Sequence, residues 1–535
     1  MNKTAPFAWL VLPEAQRVAF LQQVRVWVTD EQFERIAAMT EAVPKLVEML
    51  DQDQLTIEQL RKLAFGAPTE KTATVCPPEK PAQKPPELPA PKPRRRGHGR
   101  CGVKAYTGAR QVRVSHRTLR TGESCPACRE GKLSPSRPAK AVHLQGQPPI
   151  IATVFEMEVL RCQRCGKTFT APTPPEAGTQ KFDSSVGIMV ALLRYGSGLP
   201  FYRLAQWQMN LGVPLPASVQ WEQANALAGV IEPVVNELIT LAAQAPTLFN
   251  DDTTMRVGAL RKQIEAEEKP KRTGIFTSGI VVETPDHPIA LFFTGRQHAG
   301  ENLDDLLRQR AADLAPPLQM CDGLARNEPK EFQTLLACCL AHGRRGFVEV
   351  ASHFPDQCRF VLDCLRVVYH TDARAQEERL SPEDRLARHR SESQPVLEKL
   401  KAWMAAQLDN HLVEPNSGLG QAIGYMQRRW TQLTRFLHES GAPLDNNICE
   451  RALKMVVLHR KNSLAYKTAR GAKVGDLFMS LIQTCRLNLI NPFEYLSALT
   501  ANSEAVRANP AKFLPWNYTA TISSWPPTPS PVNSS

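Results

Sequence analysis

The sequence predicts a multidomain α/β protein, in which a core of strands and helices is interrupted by an all-helical insertion. Three observations lead to this prediction. Three apolar strand segments in succession, a helical segment and a fourth strand lie between residues 246 and 328, two Cys-x-x-C pairs precede them, and a long stretch of helical periodicity follows them. We therefore expect a four-cysteine zinc ribbon and an N-terminal helical region before the core, and a second part of the core after the insertion.

The composition indicates a basic globular protein with a polyanionic partner. Of the 535 residues, 65 are Lys or Arg and 53 are Asp or Glu, which gives a formal net charge of +12. A membrane is the weaker candidate for this partner, because no apolar run approaches the roughly 20 residues that span a bilayer. The N-terminal stretch FAWLVLPEAQRVAF is short and is interrupted by Pro13 and Glu14, so we expect no signal peptide and an intracellular protein.

Shifts in composition and periodicity divide the chain into eight segments. Before the core we expect an N-terminal helical or coiled-coil region (1–71), a Pro-rich and basic linker (72–100), a zinc-binding domain (101–172) and a helical DNA-binding or connecting region (173–245). The core follows in two parts (246–328 and 441–520), separated by the helical insertion (329–440), and the chain ends in a disordered tail (521–535).

The linker ends in a cluster of basic residues. TATVCPPEKPAQKPPELPAPKP is typical of an extended, polyproline-like segment, and RRRGHGR follows it directly. A solvated linker end would have this composition too, but its place before a zinc module in a cationic chain favours contacts with phosphates. The residues that we expect to bind DNA here are Arg94, Arg95, Arg96 and Arg100.

Four cysteines form two metal-binding knuckles. Cys125 and Cys128 lie in ESCPACREGK, and Cys162 and Cys165 lie in LRCQRCGKTF. Each pair sits on a tight turn, and two such pairs supply the four thiolates of a tetrahedral Zn²⁺ site. Because thiolates fill all four positions, we expect structural Zn²⁺ with no open position for chemistry. Free surface thiols or a redox pair are the alternatives.

Acidic residues stand where three core elements end or begin. Asp251 and Asp252 end the apolar strand TLFNDD, two further strands and a helix follow, and Asp322 ends the strand LQMCDG. Glu450 lies in the first turn of an amphipathic helix after PLDNN, where the helix dipole favours a carboxylate. This order of elements is the RNase-H-like arrangement, in which adjacent strand ends and a neighbouring helix bring three carboxylates together.

Binding of divalent cations would explain why the three carboxylates lie close together. Carboxylates so close together repel one another and take up protons unless a cation compensates their charge. Two hard cations, Mg²⁺ or Mn²⁺, held roughly 4 Å apart can activate an attacking oxygen and stabilise a leaving one in phosphodiester transfer. Basic residues after Glu450 would then face the phosphates of a DNA strand that enters the site. They are Arg451, Lys454, Arg460 and Lys461.

These segments resemble the insertion-sequence-66 family of bacterial transposases over about residues 46–520. The resemblance rests on LFNDDTTMRV, MCDGLARN, CLAHGRRGFVEV and GAPLDNNICERALKMVVLHRKN, of which the DNN-x-x-ER signature is the most specific. It implies a catalytic and metal-binding acid triad of Asp251, Asp322 and Glu450, a zinc-binding domain at the four cysteines, and a helical insertion between Asp322 and Glu450.

The resemblance also implies a reaction and its partners. It implies a DDE transposase that binds the terminal inverted repeats of a mobile element and, with Mg²⁺, cuts DNA and transfers the freed 3′ ends to target DNA. We expect a homo-oligomer on DNA, because joining two element ends usually needs more than one subunit. Small accessory proteins of the same element are further candidate partners, and the location would be the bacterial cytoplasm, at the nucleoid.

Other interpretations stay open at this point. A catalytically inactive or repurposed zinc-containing DNA-binding protein would have the same charge and zinc ribbon, whereas the long insertion disfavours a nuclease that acts on RNA or hybrids. Within the site, Asp252 could replace Asp251 as the first ligand. Cys339 and His342 have the spacing of half a metal site, but a helix end with a basic turn explains them better.

Overall fold

The computed structural model describes residues 118–134 and 149–524, apart from residues 125, 162, 164–166, 179, 271 and 285, together with five isolated positions (24, 25, 28, 33 and 75). The predicted N-terminal helical region and the linker with Arg94, Arg95, Arg96 and Arg100 therefore lie outside the continuous described stretches. The described part of the chain forms two compact units. One is helical and comprises residues 340–430, and the other contains the central sheet and comprises residues 118–339 and 431–524.

A small antiparallel hairpin and three helices precede the central sheet. The hairpin, β1 (Val159–Arg161) and β2 (Thr168–Thr170), lies within residues 101–172, the segment predicted to be the zinc-binding domain. Helix α1 begins where Asp183 accepts a hydrogen bond from the backbone N–H of Ser185 at 2.8 Å, which is an N-cap of the usual kind. The helices of this part are α1 (Ser184–Ala191), α2 (Phe201–Asn210) and α3 (Ala217–Ala243).

Helix α3 corrects one expectation from the sequence. It has 27 residues and is long and apolar enough to cross a membrane by length and composition, although we expected no such run. Of its apolar window, 44% is buried inside the protein, and Ile231, Val234 and Leu238 are fully buried. Because it packs against α1 and against a C-terminal helix of the same unit, α3 is best explained as a core helix.

The central sheet has five strands, with both antiparallel and parallel pairs. From edge to edge the order is β5-β4-β3-β6-β7, where β3, β4 and β5 pair antiparallel and β3, β6 and β7 pair parallel. Helix α4 (Gly258–Ala266) lies between β3 and β4 in the chain, and α5 (Ala299–Leu307) lies between β5 and β6. The strands are β3 (Thr247–Thr254), β4 (Phe276–Glu283), β5 (Ile289–Gly295), β6 (Leu318–Cys321) and β7 (Leu335–Cys338).

Four of these strands lie where the sequence predicts them, and β7 does not. The sequence places residues 329–440 in the helical insertion, whereas β7 pairs in parallel with β6 and completes the sheet. With four residues, β7 is too short to show a strand period, and its apolar residues run directly into helix α6. Helix α4 was not predicted either.

Asp251 lies inside a strand, and not at its end as predicted. Strand β3 pairs with β4 over its whole length, up to Thr254 opposite Phe276. Its pairing with β6 on the other side stops earlier, at Phe249 opposite Met320. Antiparallel pairing with β4 therefore extends β3 beyond the end of its parallel pairing with β6, and Asp251 lies in this extension.

The unit over residues 340–430 is helical, as the sequence predicts for this part of the insertion. Polar capping starts two of its helices, since Ser381 and Ser417 accept hydrogen bonds from backbone N–H groups in the first turn. The helices are α6 (Leu340–Val350), α7 (Pro355–Glu377), α8 (Pro382–Arg388), α9 (Gln394–Asp409) and α10 (Gly418–Arg428), and a π-helical turn, His389–Ser393, joins α8 to α9.

Six further helices follow as far as residue 523. The helix predicted after PLDNN is α12, and α16 extends into the segment predicted to be a disordered tail, of which residues 525–535 lie outside the described residues. The helices are α11 (Trp430–Leu433), α12 (Asn447–Ser463), α13 (Ala469–Leu487), α14 (Pro492–Ala501), α15 (Ser503–Ala508) and α16 (Tyr518–Ser523).

Helix α13 covers the β5 edge of the sheet with a stripe of polar side chains. Three of its side chains, four residues apart, accept hydrogen bonds from alternate backbone N–H groups of the edge strand β5. They are Asp476, Ser480 and Thr484, which bond to Thr294, Phe292 and Ala290 at 2.7, 2.9 and 3.1 Å. The spacing fits, because four helical residues rise about 6 Å and two strand residues rise about 6.8 Å. The stripe blocks an edge that could otherwise pair with another chain.

We predict that Thr484→Val lowers the free energy of unfolding by about 1–3 kcal/mol, because it leaves the backbone N–H of Ala290 buried without a partner. Thr500→Val is the matched control, since the Thr500 hydroxyl bonds only the Leu496 carbonyl of its own helix in the described structure. Denaturant unfolding of the two variants measures the difference. Equal losses would show that the edge contact contributes nothing specific.

Candidate functional site

The three predicted acids lie close enough together for their charges to interact. Asp251 lies on β3, Asp322 directly follows β6, and Glu450 lies in the first turn of α12; all three are partly buried. Burial and then the negative charges of Asp322, Asp252 and Glu450 raise the pKa of Asp251 to about 7, against one opposing hydrogen bond from the Asp252 N–H. The charges of Asp322 and Glu450 thus act on Asp251, and the region around these three acids is here named the acidic pocket.

A buried asparagine connects two of these acids. The Asn327 Nδ2 donates hydrogen bonds to the Oδ1 of Asp322 at 2.8 Å and to the Oδ1 of Asp251 at 3.3 Å. The same Asp322 oxygen accepts a hydrogen bond from the backbone N–H of Leu324 at 2.9 Å, which fixes the turn after β6. Sequence reasoning missed Asn327, although it lies in the quoted motif MCDGLARN.

The residues before α12 attach the start of this helix to β3. Asn446 is fully buried, and its Nδ2 donates a hydrogen bond to the backbone carbonyl of Asn250 at 3.1 Å. The local bond at the helix start is made by Asp445, whose Oδ1 accepts from the Asn447 N–H at 3.1 Å. The DNN segment therefore does more than start a helix. Its contact with Asn250 also places Glu450 near Asp251, the next residue of β3.

A glycine on β4 lets α12 lie directly on the sheet. Gly279 pairs with Asp251, and a Cβ added to it would lie 3.0 Å from the side chain of Leu453 and 3.5 Å from the sulfur of Cys449. The Cys449 thiol donates a hydrogen bond to the Gly279 carbonyl at 3.4 Å. A larger residue at this position would displace the helix that carries Glu450.

Asp252 has partners of its own. Neighbouring residues of a strand face opposite sides of the sheet, and the Asp252 side chain, 1% exposed, lies between His298 and Arg326. It contacts His298 Nδ1 at 2.7 Å and the Arg326 guanidinium at 3.3 Å. Of the two alternatives for the first acid, Asp251 is therefore the one that shares a hydrogen-bond donor with Asp322.

The predicted DNA-binding residues of α12 divide into two groups. Arg451, Lys454 and Lys461 are exposed and lie along one stripe of the helix. Arg460 is partly buried and donates hydrogen bonds to the hydroxyls of Thr253 at 3.0 Å and Thr254 at 2.6 Å. Arg460 thus joins α12 to the end of β3, and its predicted phosphate contact stays a prediction.

The predicted zinc site lies largely outside the described residues. Cys125, Cys162 and Cys165 are among the residues left out, and Cys128 is exposed on a turn. Two backbone hydrogen bonds close this turn, from Gly122 N–H to the Leu133 carbonyl and from Leu133 N–H to the Glu123 carbonyl, each 2.8 Å long. A knuckle-like hairpin around Cys128 fits one half of the prediction, and the four-cysteine site stays a prediction.

Cys339 and His342 lie in different units. Cys339 is the last residue of the sheet-containing unit before the insertion, where it is fully buried and accepts a hydrogen bond from the Asn446 N–H at 3.3 Å. His342 belongs to α6 of the helical unit. The burial of Cys339 against the residues before α12 gives it a packing role.

The helical unit contains a Ser-His-Asp series that has the residue types of a hydrolase triad. His389 lies between Ser393 Oγ at 2.9 Å and Asp372 Oδ1 at 3.1 Å, and Arg385 also bonds Asp372. Ser393 is fully buried and His389 is 1% exposed, so a substrate has no access to the hydroxyl. Hydrogen bonds from His389 and the charge of Arg385 outweigh the effect of burial and lower the pKa of Asp372, as in a structural ion pair.

Comparison with known proteins places this chain among the transposases, a class of enzymes that act on DNA. The family model described as Transposase IS66 family matches residues 181–474, more than half of the chain, and the chain belongs to this family. The uncharacterized proteins y4jD and y4hP of Sinorhizobium fredii (strain NBRC 101917 / NGR234) are similar to it. The first is 27% identical over 62% of this chain and 65% of its own length. The second is 26% identical over 74% of this chain and 73% of its own length. The chain thus covers less than two thirds of y4jD.

We predict that Asp251→Asn stabilises the protein in EDTA at pH 8 by on the order of 2 kcal/mol. The pKa of Asp251 is about 7 in the folded protein and near 3.9 in an unfolded chain, so the folded state holds the extra proton between these values. Its contribution to stability therefore falls as pH rises from about 4 to 7, and the variant should gain at pH 8 and not at pH 4.

Denaturant unfolding at both pH values measures this gain. Asp252→Asn is the matched control, because it breaks the contacts with His298 and Arg326 and should destabilise the protein at pH 8. A loss of stability for Asp251→Asn at pH 8 would contradict the prediction.

Proposed function

We propose that the protein is a DDE transposase with an RNase-H-like core, which cuts DNA at the terminal inverted repeats of a mobile element and transfers the freed 3′ ends to target DNA. One observation carries the proposal: the charges of Asp322 and Glu450, two acids from distant segments, act on Asp251, and Asp251 and Asp322 share a hydrogen-bond donor. The strand order β5-β4-β3-β6-β7, with three antiparallel strands followed by two parallel ones, supports the RNase-H-like assignment. Membership of the transposase family supports the reaction class.

The donor set of the pocket fits Mg²⁺ or Mn²⁺. Carboxylate oxygens are the ligands that these hard cations prefer, and the raised pKa of Asp251 reflects burial and like charge that a bound cation would offset. We assign Asp251, Asp322 and Glu450 as the ligands. Bound there, the cations would supply the positive charge that activates an attacking oxygen and stabilises a leaving one.

The residues of the chain fix the ligands in place. Strand pairing holds Asp251, the Leu324 N–H holds the Asp322 carboxylate, and the contact between Asn446 and β3 sets the start of the helix that carries Glu450. We assign no nucleophilic side chain, in accord with direct attack by water and then by the 3′-hydroxyl. Cys449, which adjoins Glu450, is unsuited to this role because burial raises the pKa of its thiol well above the usual value.

The exposed cations of α12 are the proposed DNA contacts closest to the pocket. Arg451, Lys454 and Lys461 lie on the helix that also carries Glu450, so a strand bound along them would pass the acids. We keep Arg94, Arg95, Arg96 and Arg100 as proposed phosphate contacts and the four-cysteine site as proposed structural Zn²⁺. A homo-oligomer on DNA, small accessory proteins of the same element and a cytoplasmic, nucleoid-associated location complete the proposal.

We predict that Asp322→Asn and Glu450→Gln each reduce strand transfer with Mg²⁺ at least about 100-fold, while binding to element ends persists. The assay uses purified full-length protein, duplexes with the element ends and a target plasmid, and a gel shift measures binding separately. Glu494→Gln is the matched control, because Glu494 also lies in the first turn of its helix, α14, and is exposed.

Full activity of either acid variant would refute the assignment of the site. Binding to element ends by a wild-type protein that is inactive with both Mg²⁺ and Mn²⁺ would favour the alternative of a repurposed DNA-binding protein.

A further inference from the structure

Asn327 lies between the two strand-borne acids without being one of the acids itself. It ends the 3-10 turn Ala325–Asn327 and is fully buried. Its Nδ2 donates hydrogen bonds to the Oδ1 of Asp322 at 2.8 Å and to the Oδ1 of Asp251 at 3.3 Å. Two carboxylate oxygens thus converge on one amide nitrogen, as they would on a cation.

The backbone of Asn327 is held independently of its side chain. Its carbonyl accepts hydrogen bonds from Asn250 Nδ2 at 2.7 Å and Gln319 Nε2 at 2.8 Å. Asn250 and Gln319 lie on the adjacent strands β3 and β6, and they also bond each other at 2.9 Å. These side chains would keep residue 327 in place after its own side chain is changed.

The unpaired amide oxygen of Asn327 indicates that the carboxylates of Asp251 and Asp322 orient its side chain. The Oδ1 is buried and has no hydrogen-bond partner among the described residues. Rotation of the amide by half a turn would set this oxygen against the two carboxylates, so the observed orientation satisfies the acids and leaves the oxygen unpaired.

We propose that Asn327 is a positioning residue that takes the place of the cation in the metal-free protein, where its Nδ2 holds the carboxylates of Asp251 and Asp322 together. This inference rests on the proposed function, since it needs a metal site at these acids. A cation that enters the pocket has to replace the two Asn327 hydrogen bonds. The metal-free state is therefore more stable with Asn327 than without it, and the affinity for the cation is lower.

The test compares wild-type protein with Asn327→Leu, which keeps the branched shape of the side chain and removes the amide. Gln220→Met is the matched control, because Gln220 is also a fully buried amide with an unpaired oxygen, and its nitrogen bonds the Phe201 and Leu215 carbonyls. Calorimetric titration with MnCl2 at pH 8 measures the affinity, and thermal unfolding in EDTA and in saturating Mn²⁺ measures the effect on stability.

Asn327→Leu should bind Mn²⁺ about tenfold more tightly than wild type, since hydrogen bonds to charged groups no longer compete with the cation. Its midpoint of unfolding should fall by a few degrees in EDTA and by less in Mn²⁺, whereas Gln220→Met should lose the same amount in both. Unchanged or weaker binding by Asn327→Leu would overturn the inference and leave the proposed function intact. No binding by the wild-type protein would overturn both.

Discussion

Repulsion between carboxylates is the constraint that the residues around Asp251, Asp322 and Glu450 have to balance. Asp251 and Asp322 are partly buried within reach of the same amide, and Glu450 adds a third charge. Such a group is unfavourable without a cation, because burial and like charge both oppose ionisation. The protein keeps the acids together by covalent and hydrogen-bonded restraints on the backbone: β3 is paired up to Thr254 on one side, and the turn after β6 is closed by the Leu324 N–H. Residues that hold the acids thus stabilise a geometry that the acids themselves disfavour.

Buried amides supply most of these restraints. Asn250, Gln319 and Asn327 bond one another beneath the pocket, Thr334 bonds Gln319, and Asn446 reaches the carbonyl of Asn250. Neutral amides suit this position, since they donate to carboxylates and carbonyls without adding a charge that would itself need compensation. The network joins β3, β6, the turn after β6 and the start of α12, so a shift of one element would strain the hydrogen bonds of the others.

The sequence predicts the elements better than it predicts the contacts between them. Apolar runs locate β3 to β6, but β7 has four residues and merges with a helix, so its pattern is too short to read. The three acids follow from element order and from the family resemblance. The resemblance favours Asp251 over Asp252 as the first acid, and strand alternation and the partners of Asp252, His298 and Arg326, are consistent with this choice. Asn327, Gln319 and Gly279 have no signal of their own, because a buried amide or glycine acquires its role from neighbours that are distant in the chain.

Helix α12 links the acidic pocket to the surface that we propose for DNA. Its buried face lies on the sheet at Gly279, its first turn carries Glu450, and its exposed stripe carries Arg451, Lys454 and Lys461. Glu450 and Lys454 are four residues apart and therefore lie on the same side of α12, so a phosphate bound along the stripe would lie close to the acids. Arg460 holds the helix in place, because its bonds to Thr253 and Thr254 tie it to the strand that carries Asp251. A phosphate held along the stripe and a cation held by the acids would therefore share one rigid support.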